Sequence, residues 1–532
     1  MARQHTRGFQ MPARIVASAL LLLIQFGFLF WVLYNFTIHS ATVLVLSSII
    51  GMVTVIFLIN RRGNPDHKMS WIIFILLFPI FGISVYLLWG GNSVMPHIRK
   101  KMRVCESHYL PFLDDNKDII DRLRYNDIMH SRQAEFLVNE SGYPLYDGTS
   151  SEYLPSGERF FESLLAEISN AQKYIYMEFF ILAEGYMWDE IHKILKRKAS
   201  DGVEIKIIFD DFGSIKRQGP AFLENLKREK IKVAVFNKIN LFFNIFMNNR
   251  NHRKIVVVDG EVAFTGGVNI GDEYINRYRR FGHWMDCGIA LRGKAVKSFL
   301  AMFLIMWEFV TNERIDMKSH LGSGFSYDDG FVIPYSDGPL NDKNPAEGIY
   351  MQILNSAQRY VYIMTPYLII DDMMTSALCM AAKSGIEVCI ITPHIPDKWY
   401  VHNVTQYHYL DLLKSGVKIF EYTPGFIHSK VYLSDDSIAT VGSVNMDYRS
   451  FVFHFESSVW IDDKKTALDI KHHFREVLAV SKEIELKKWQ KRSVFTRIKQ
   501  AVLHLFGPFI LIIIHRYRGY RQHRHHIQDS HL

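Results

Sequence analysis

Cysteine is scarce in this chain: only Cys105, Cys287, Cys379 and Cys389 occur in 532 residues, and no two stand at the short spacing of a zinc-ligand pair. A zinc-stapled module and the dense disulfide framework of a small secreted domain are therefore excluded. The four thiols have mostly apolar or strand-like neighbours and read as reduced packing residues. Charge is also sparse, at 22% of residues against 48% apolar, which excludes a generally disordered chain and leaves ample material for two or three cores. What charge there is leans basic, with a formal net value of +8, so the natural partner is anionic: nucleic acid, an acidic membrane surface or a phosphorylated substrate.

Three runs near the start lack charge altogether: Ile15 to Tyr34, Ala41 to Ile59 and Trp71 to Trp89. Each approaches the roughly 20 residues that cross a bilayer core. Behind a basic tail at 1–14, residues 15–90 therefore read as a membrane region of two or three apolar segments, preceding the rest as N-terminal transmembrane helices. A cleaved signal peptide fits poorly, because a second run follows at once. Arg3, Arg7 and Arg14 precede the first run and no Lys or Arg lies between Asn35 and Ser40, so the N-terminus is expected in the cytoplasm, with the later lobes on the same side. The third run has basic residues at both ends. It reads either as a third span or, preferably, as a re-entrant segment bent at Pro79 and Gly82.

A linker region is expected over 91–150. Beyond it the pattern changes to short β-rich runs alternating with amphipathic segments, the mark of an α/β fold. It occurs twice. Ala171-Gln-Lys-Tyr-Ile-Tyr-Met echoes Ala357-Gln-Arg-Tyr-Val-Tyr-Ile, and Gly202-Val-Glu-Ile-Lys-Ile-Ile echoes Gly385-Ile-Glu-Val-Cys-Ile-Ile. Two duplicated lobes follow, at 151–319 and 346–480, with a Gly/Ser/Asp/Pro-rich linker at 320–345. A basic and apolar tail over 481–532 suits interfacial docking, since its apolar run Ala501 to Ile514 is too short to span. His523, His525 and His526 lie among arginines in that tail and read as a solvated basic surface for anionic lipids rather than a metal site. Phe242, Phe243 and Phe246 read equally as core or as an acyl-chain surface.

Each lobe carries the same chemical motif: His252-Arg-Lys254 with Asp259 and then Asn269, and His428-Ser-Lys430 with Asp435 and then Asn445. For 23 histidines, chance predicts about 0.08 copies of the His-x-Lys-x4-Asp pattern. On a strand, residues two apart share a face, so each lobe offers an imidazole beside an ammonium. If the lobes pack about a pseudo-twofold axis, one site gathers two histidines, two lysines and two asparagines. Such a site suits a phosphodiester: lysines and amides stabilise phosphoryl oxygens, one histidine attacks phosphorus and the other protonates the leaving alcohol. No metal and no cofactor is required.

These paired motifs resemble those of the phospholipase D superfamily, and Asn445-Met-Asp447-Tyr-Arg449-Ser450-Phe451 is similar to the bacterial cardiolipin synthases. The resemblance, which runs from about Trp71 to the end, implies two phospholipase D-like α/β/α lobes. It implies His252 as nucleophile and His428 as general acid, then base. It also implies that Asp259 and Asp435 complete the motifs by holding the folded site, and that Asp286 and Glu456 orient the histidines. The implied reaction transfers a phosphatidyl group between two phosphatidylglycerol molecules through a phosphohistidine, giving cardiolipin and glycerol, at the cell membrane and without nucleic acid. The chain departs from the pattern at His454, where many relatives have Asn, and at Gly267 against Ser443. Two other readings compete: hydrolysis by the same residues, on a phospholipid or a nucleic acid, and a non-catalytic membrane scaffold or transporter. Intact histidines and lysines in both lobes, and no charge inside the apolar runs, weigh against the last.

Overall fold

A computed structural model describes residues 41–61, 65–86, 96–113 and 117–505, apart from 216, 220, 239–248, 326, 328, 329 and 341–343, together with 27, 30, 31, 34 and 35. The run Ile15 to Tyr34 (isolated positions aside), the aromatic stretch with Phe242, Phe243 and Phe246, the run from 506 onwards and the histidine-rich tail lie outside the described residues.

The first lobe contributes β1 (Thr149–Leu154), β2 (Tyr174–Phe179), β3 (Glu204–Asp210), β4 (Lys232–Phe236), β5 (Arg250–Asn251), β6 (Lys254–Val258), β7 (Val262–Gly266), β8 (His283–Met285) and β9 (Gly288–Gly293). Seven of these form a sheet in the order β1-β9-β7-β6-β2-β3-β4. The second contributes β10 (Phe331–Asp337), β11 (Tyr360–Met364), β12 (Leu368–Ile369), β13 (Glu387–Pro393), β14 (Lys418–Tyr422), β15 (Gly425–Ile427), β16 (Val431–Ser434), β17 (Ile438–Gly442), β18 (Met446–Asp447), β19 (His454–Asp462) and β20 (Ser481–Glu483). Its sheet runs β10-β19-β17-β16-β11-β13-β14, with β20 added at the far edge. The two orders match strand for strand. In both, three strands pair in parallel, β2-β3-β4 and β11-β13-β14, while the motif strands β6 and β16 run antiparallel to their neighbours.

The motif strands read as unbroken apolar runs because both of their faces are covered. Ile255 and Val257 enter a core shared between the sheets, whereas Val256 and Val258 face the first lobe's own helices. Each such side chain contributes about 1.5–3 kcal/mol of burial. Leu433, Val441 and Val459 meet the shared core from the second sheet, and the helix Val296–Thr311 runs through it, buried from Val296 and Ser298 to Glu308. A shared core of this kind fixes the lobes against one another, which is what a site between them needs.

Two stretches expected as linkers are structured. Within 91–150, the helix Pro96–Tyr109 packs on Val296–Thr311, and Ile128–Ser141 packs on β10 and the helix Pro345–Ser356. Their apolar faces, with Met102, Cys105, Ala134 and Leu137, are buried. Within 320–345 lies β10, the edge strand that pairs with β19 over its whole length. Its proline, Pro334, is tolerated because it sits at a sheet edge.

In the N-terminal region the helix Pro65–Leu77 ends at Phe78, and Pro79–Val85 folds back on it. The reversal is close: a β-carbon at Gly82 would fall 2.7 Å from the Ile75 backbone. Arg61 donates to the Tyr86 hydroxyl at 3.0 Å, and Leu76, Leu77 and Phe78 are more than half exposed at the opposite, apolar tip. Among the described residues no helix is long and apolar enough to cross a membrane. Of Ala41–Asn60 the side chains are described from Val45 onward, and Leu46, Ile49, Val53, Ile56 and Phe57 are more than half exposed.

Candidate active site

Neither histidine sits on its motif strand. His252 and His428 each occupy a short connection before it, positioned by backbone pairing with the other lobe. β5 runs parallel to the start of β19, with Arg250 opposite His454 and Asn251 opposite Phe455. β15 runs parallel to β8, with Ile427 opposite Met285. The backbone N–H of His252 then donates to Phe455 O at 2.9 Å, and that of His428 to Met285 O at 2.6 Å.

One residue further along each partner segment stands an acid. Glu456 accepts from Nδ1 of His252, with both oxygens at 2.9 Å, and Asp286 accepts from Nδ1 of His428 at 2.7 Å. Each imidazole is thus oriented by a carboxylate of the opposite lobe. A carboxylate accepts, so Nδ1 carries the proton and Nε2 keeps its lone pair. The exchange is reciprocal, as twofold pseudo-symmetry requires, and neither lobe completes a site alone.

The lysines lie on the same side of the pairing. Lys254 donates to His252 O at 2.5 Å; Lys430 donates to His428 O and stands 2.9 Å from its Nδ1. Burial holds both imidazoles well below their ordinary pKa, and the charges of Lys254 and Lys430 push each of them the same way. His428 adds to that field at His252, so the two motifs act on one another. Burial also drives Lys254 down to about 7 and Lys430 to about 8, and lifts Asp286 to about 6. Only 9% of either histidine side chain is exposed. Aromatic rings wall them: Phe180 beside His252, and Tyr274, Trp284 and Phe426 beside His428.

The motif aspartates are elsewhere. Asp259 follows the far end of β6, about 16 Å of strand from its first residue, and accepts from the backbone N–H groups of Gln172, Lys173 and Tyr174 at 2.6, 2.7 and 2.8 Å. Asp435 does the same for Gln358, Arg359 and Tyr360 at 2.7, 2.9 and 3.0 Å. The asparagines differ. Asn269 accepts from Ile181 N–H at 3.0 Å and donates to the Tyr274 hydroxyl at 2.8 Å, while Asn445 Oδ1 is buried without a hydrogen-bond partner among the described residues.

Both departures in the motif tails have visible consequences. A β-carbon at Gly267 would fall 2.0 Å from Asp286 Oδ1, whereas Ser443, its counterpart, donates its hydroxyl to Glu456 Oε2. His454 lies two residues before Glu456, as Trp284 lies two before Asp286, and its ring centroid stands 5.3 Å from that of His252. Burial drives the His454 pKa down to about 3, and among the described residues neither of its buried ring nitrogens has a hydrogen-bond partner. An unpaired buried polar group costs about 1–3 kcal/mol. The aromatic walls were not singled out from sequence; the one signal was the shared offset of Trp284 and His454 before the two acids.

The site and fold are those of a phospholipase D-type enzyme with one centre shared between duplicated lobes. A family model described as "Cardiolipin synthase, PLD-like domain" matches residues 164–282 and 350–478, and one described as "Phospholipase_D-nuclease N-terminal" matches 46–91. An uncharacterized protein of Streptococcus mutans is 38% identical over 464 residues, 86% of this chain and 99% of that one. A cardiolipin synthase of Halalkalibacterium halodurans is 30% identical over 488 residues, 90% of this chain and 95% of that one. In fold, the chain is similar to the crystal structure of phosphatidylserine synthase from Haemophilus influenzae, with a TM-score of 0.52 and 14% identity, covering 71% of this chain and 98% of that one. The chain belongs to the cardiolipin synthase family of the phospholipase D superfamily.

Proposed function

We propose that this enzyme is a phosphatidyltransferase that makes cardiolipin and glycerol from two molecules of phosphatidylglycerol, with His252 as nucleophile and His428 as proton carrier. Nε2 of His252 attacks phosphorus as the bond from phosphorus to the glycerol oxygen breaks, and His428 gives that oxygen its proton. In the second half the hydroxyl of another phosphatidylglycerol attacks phosphorus, passes its proton to His428 and releases His252. Lys254 and Lys430 offset the charge that gathers on the phosphoryl oxygens. The anionic substrate also counters the field that disfavours protonated His428. Asp259 and Asp435 hold the strand ends, and Asn269 braces the loop of Tyr274.

The observation that carries this reading is the crossed pairing of His252 with Glu456 and of His428 with Asp286. Attachment to the cell membrane is part of it, with the lobes on the cytoplasmic side. Support comes from the exposed apolar face of Ala41–Asn60, the apolar tip at Leu76, Leu77 and Phe78, and the helix Val494–Leu505, which exposes Val494, Phe495, Ile498 and Val502. The aromatic walls beside the histidines help to exclude the water that would turn transfer into hydrolysis. The test is to incubate the purified protein with phosphatidylglycerol vesicles and identify the products. Cardiolipin and glycerol are expected; phosphatidic acid alone would make the enzyme a hydrolase.

A further inference from the structure

Beside His252 and Glu456 stands a residue with no part in the proposed reaction, His454. His454 Nδ1 stands 3.7 Å from Glu456 Oε1, and His252 Nδ1 stands 2.9 Å from the same oxygen. One ligand atom from each of the three residues lies within 4.8 Å of the other two. In a tetrahedral zinc site with bonds of about 2.0–2.2 Å, neighbouring ligand atoms stand about 3.3–3.6 Å apart, so small shifts of the two rings suffice. His454 is what makes the set complete: its ring nitrogens are buried, without hydrogen-bond partners among the described residues, beside a carboxylate whose other oxygen is already held by Ser443. A carboxylate fixed from behind in this way is the outer support that metal ligands usually have.

We propose that His252, His454 and Glu456 form a binding site for a borderline divalent transition-metal ion, Zn²⁺ foremost, and that occupancy inhibits the enzyme. Two imidazoles and a carboxylate are the donor types such an ion takes, with a fourth position left for water. The inhibition rests on His252 being the nucleophile; the binding does not. A metal ion at Nδ1 of His252 displaces the proton now shared with Glu456. That proton moves to Nε2, where it occupies the lone pair that attacks phosphorus, so the imidazole stays neutral overall but cannot attack. The other half of the centre cannot do the same, because the counterpart of His454 is Trp284, whose indole offers no lone pair to a metal.

The experiment uses the purified full chain in detergent, with His523, His525 and His526 replaced by Ala so that the tail takes no metal. Zinc content and affinity are measured with and without His454→Asn, alongside transferase activity. The expected result is one Zn²⁺ per chain, an affinity at least about 100-fold weaker in His454→Asn, and inhibition by Zn²⁺ that a chelator reverses and His454→Asn escapes. Cobalt loaded into the chain with His454 intact should give the strong visible absorption of a four-coordinate ion, a readout that does not depend on the variant. Equal zinc binding with and without His454, or cobalt that stays six-coordinate, would overturn the site. Zinc bound through His454 with activity unimpaired would keep the site and count against His252 as the nucleophile, and inhibition that persists in His454→Asn after zinc binding is lost would overturn the inhibitory role.

Discussion

Glu456 and His252 meet at 2.9 Å across the lobe boundary, although 204 residues separate them along the chain. Asp286 and His428 repeat the relationship from the opposite side, 142 residues apart, at 2.7 Å. Each acid fixes a tautomer and a ring orientation rather than touching phosphorus. Glu456→Gln and Asp286→Asn keep the shape and remove the charge, and each is expected to lower kcat by about 100-fold or more while KM changes little. Steady-state kinetics on vesicles checks this. A KM effect alone would place the acids in substrate binding.

Removing the histidines tests the shared centre. His252→Ala and His428→Ala should each abolish measurable turnover, and the double variant should be no worse than either single one, because groups that act as a unit are not additive.

The lysines predict an alkaline limb. An amine is charged below its pKa, so the site loses positive charge as pH rises through about 7 for Lys254 and about 8 for Lys430. His252, held well below 6.5 by burial and by those lysines, stays neutral on the acid side, while His428, held down in the same way, takes its proton once the anionic substrate offsets that field. The value of kcat/KM should therefore hold through mildly acidic pH and fall above neutrality. Lys254→Arg, whose guanidinium does not deprotonate, should move the fall towards 8. A profile that rises between pH 7 and 9 would refute the charge assignment.

Asp259 and Asp435 should matter to folding before chemistry. Each accepts three backbone N–H bonds, and each has a positive φ, 54° and 55°, which Asp tolerates better than most residues. Asp259→Ala is expected to cost about 2–3 kcal/mol, read as a fall in Tm, with kcat per folded molecule nearly unchanged at low temperature.

Gly267 and Ser443 occupy matching places and should respond differently. Gly267→Ala drives a methyl group into the Asp286 carboxylate and should cost about 100-fold in kcat, since His428 loses its orienting partner. Ser443→Ala removes one hydrogen bond to Glu456 and should cost no more than about ten-fold.

The duplication and the pair of motifs were legible because each repeats at fixed spacing, and the apolar strands followed from alternating turns and runs. The crossing of partners was less so. The reason for expecting His252 beside Lys254 was strand alternation, yet both histidines precede their strands and are set by β5 and β15 pairing with the other lobe, which no local pattern encodes. β10 was hidden because its short run, Phe331 to Tyr335, lies between flanks rich in glycine, serine and aspartate. The helices within 91–150 were missed for a related reason: their buried faces meet partners from both lobes, so they read as linker until the fold supplies those partners. His454 stood out as a departure, but its place beside His252 depends on the register of β19.

The central claim is that two imidazoles serve one phosphorus and that His252 takes the phosphatidyl group. The direct measurement is to mix the enzyme with phosphatidylglycerol labelled at phosphate, quench in alkali, digest and map the label. A phosphoramidate on the peptide containing His252, stable to alkali and lost in acid, is predicted, with none on that peptide in His252→Ala. Label on His428 instead, or turnover to cardiolipin with no labelled histidine at any time, would contradict it.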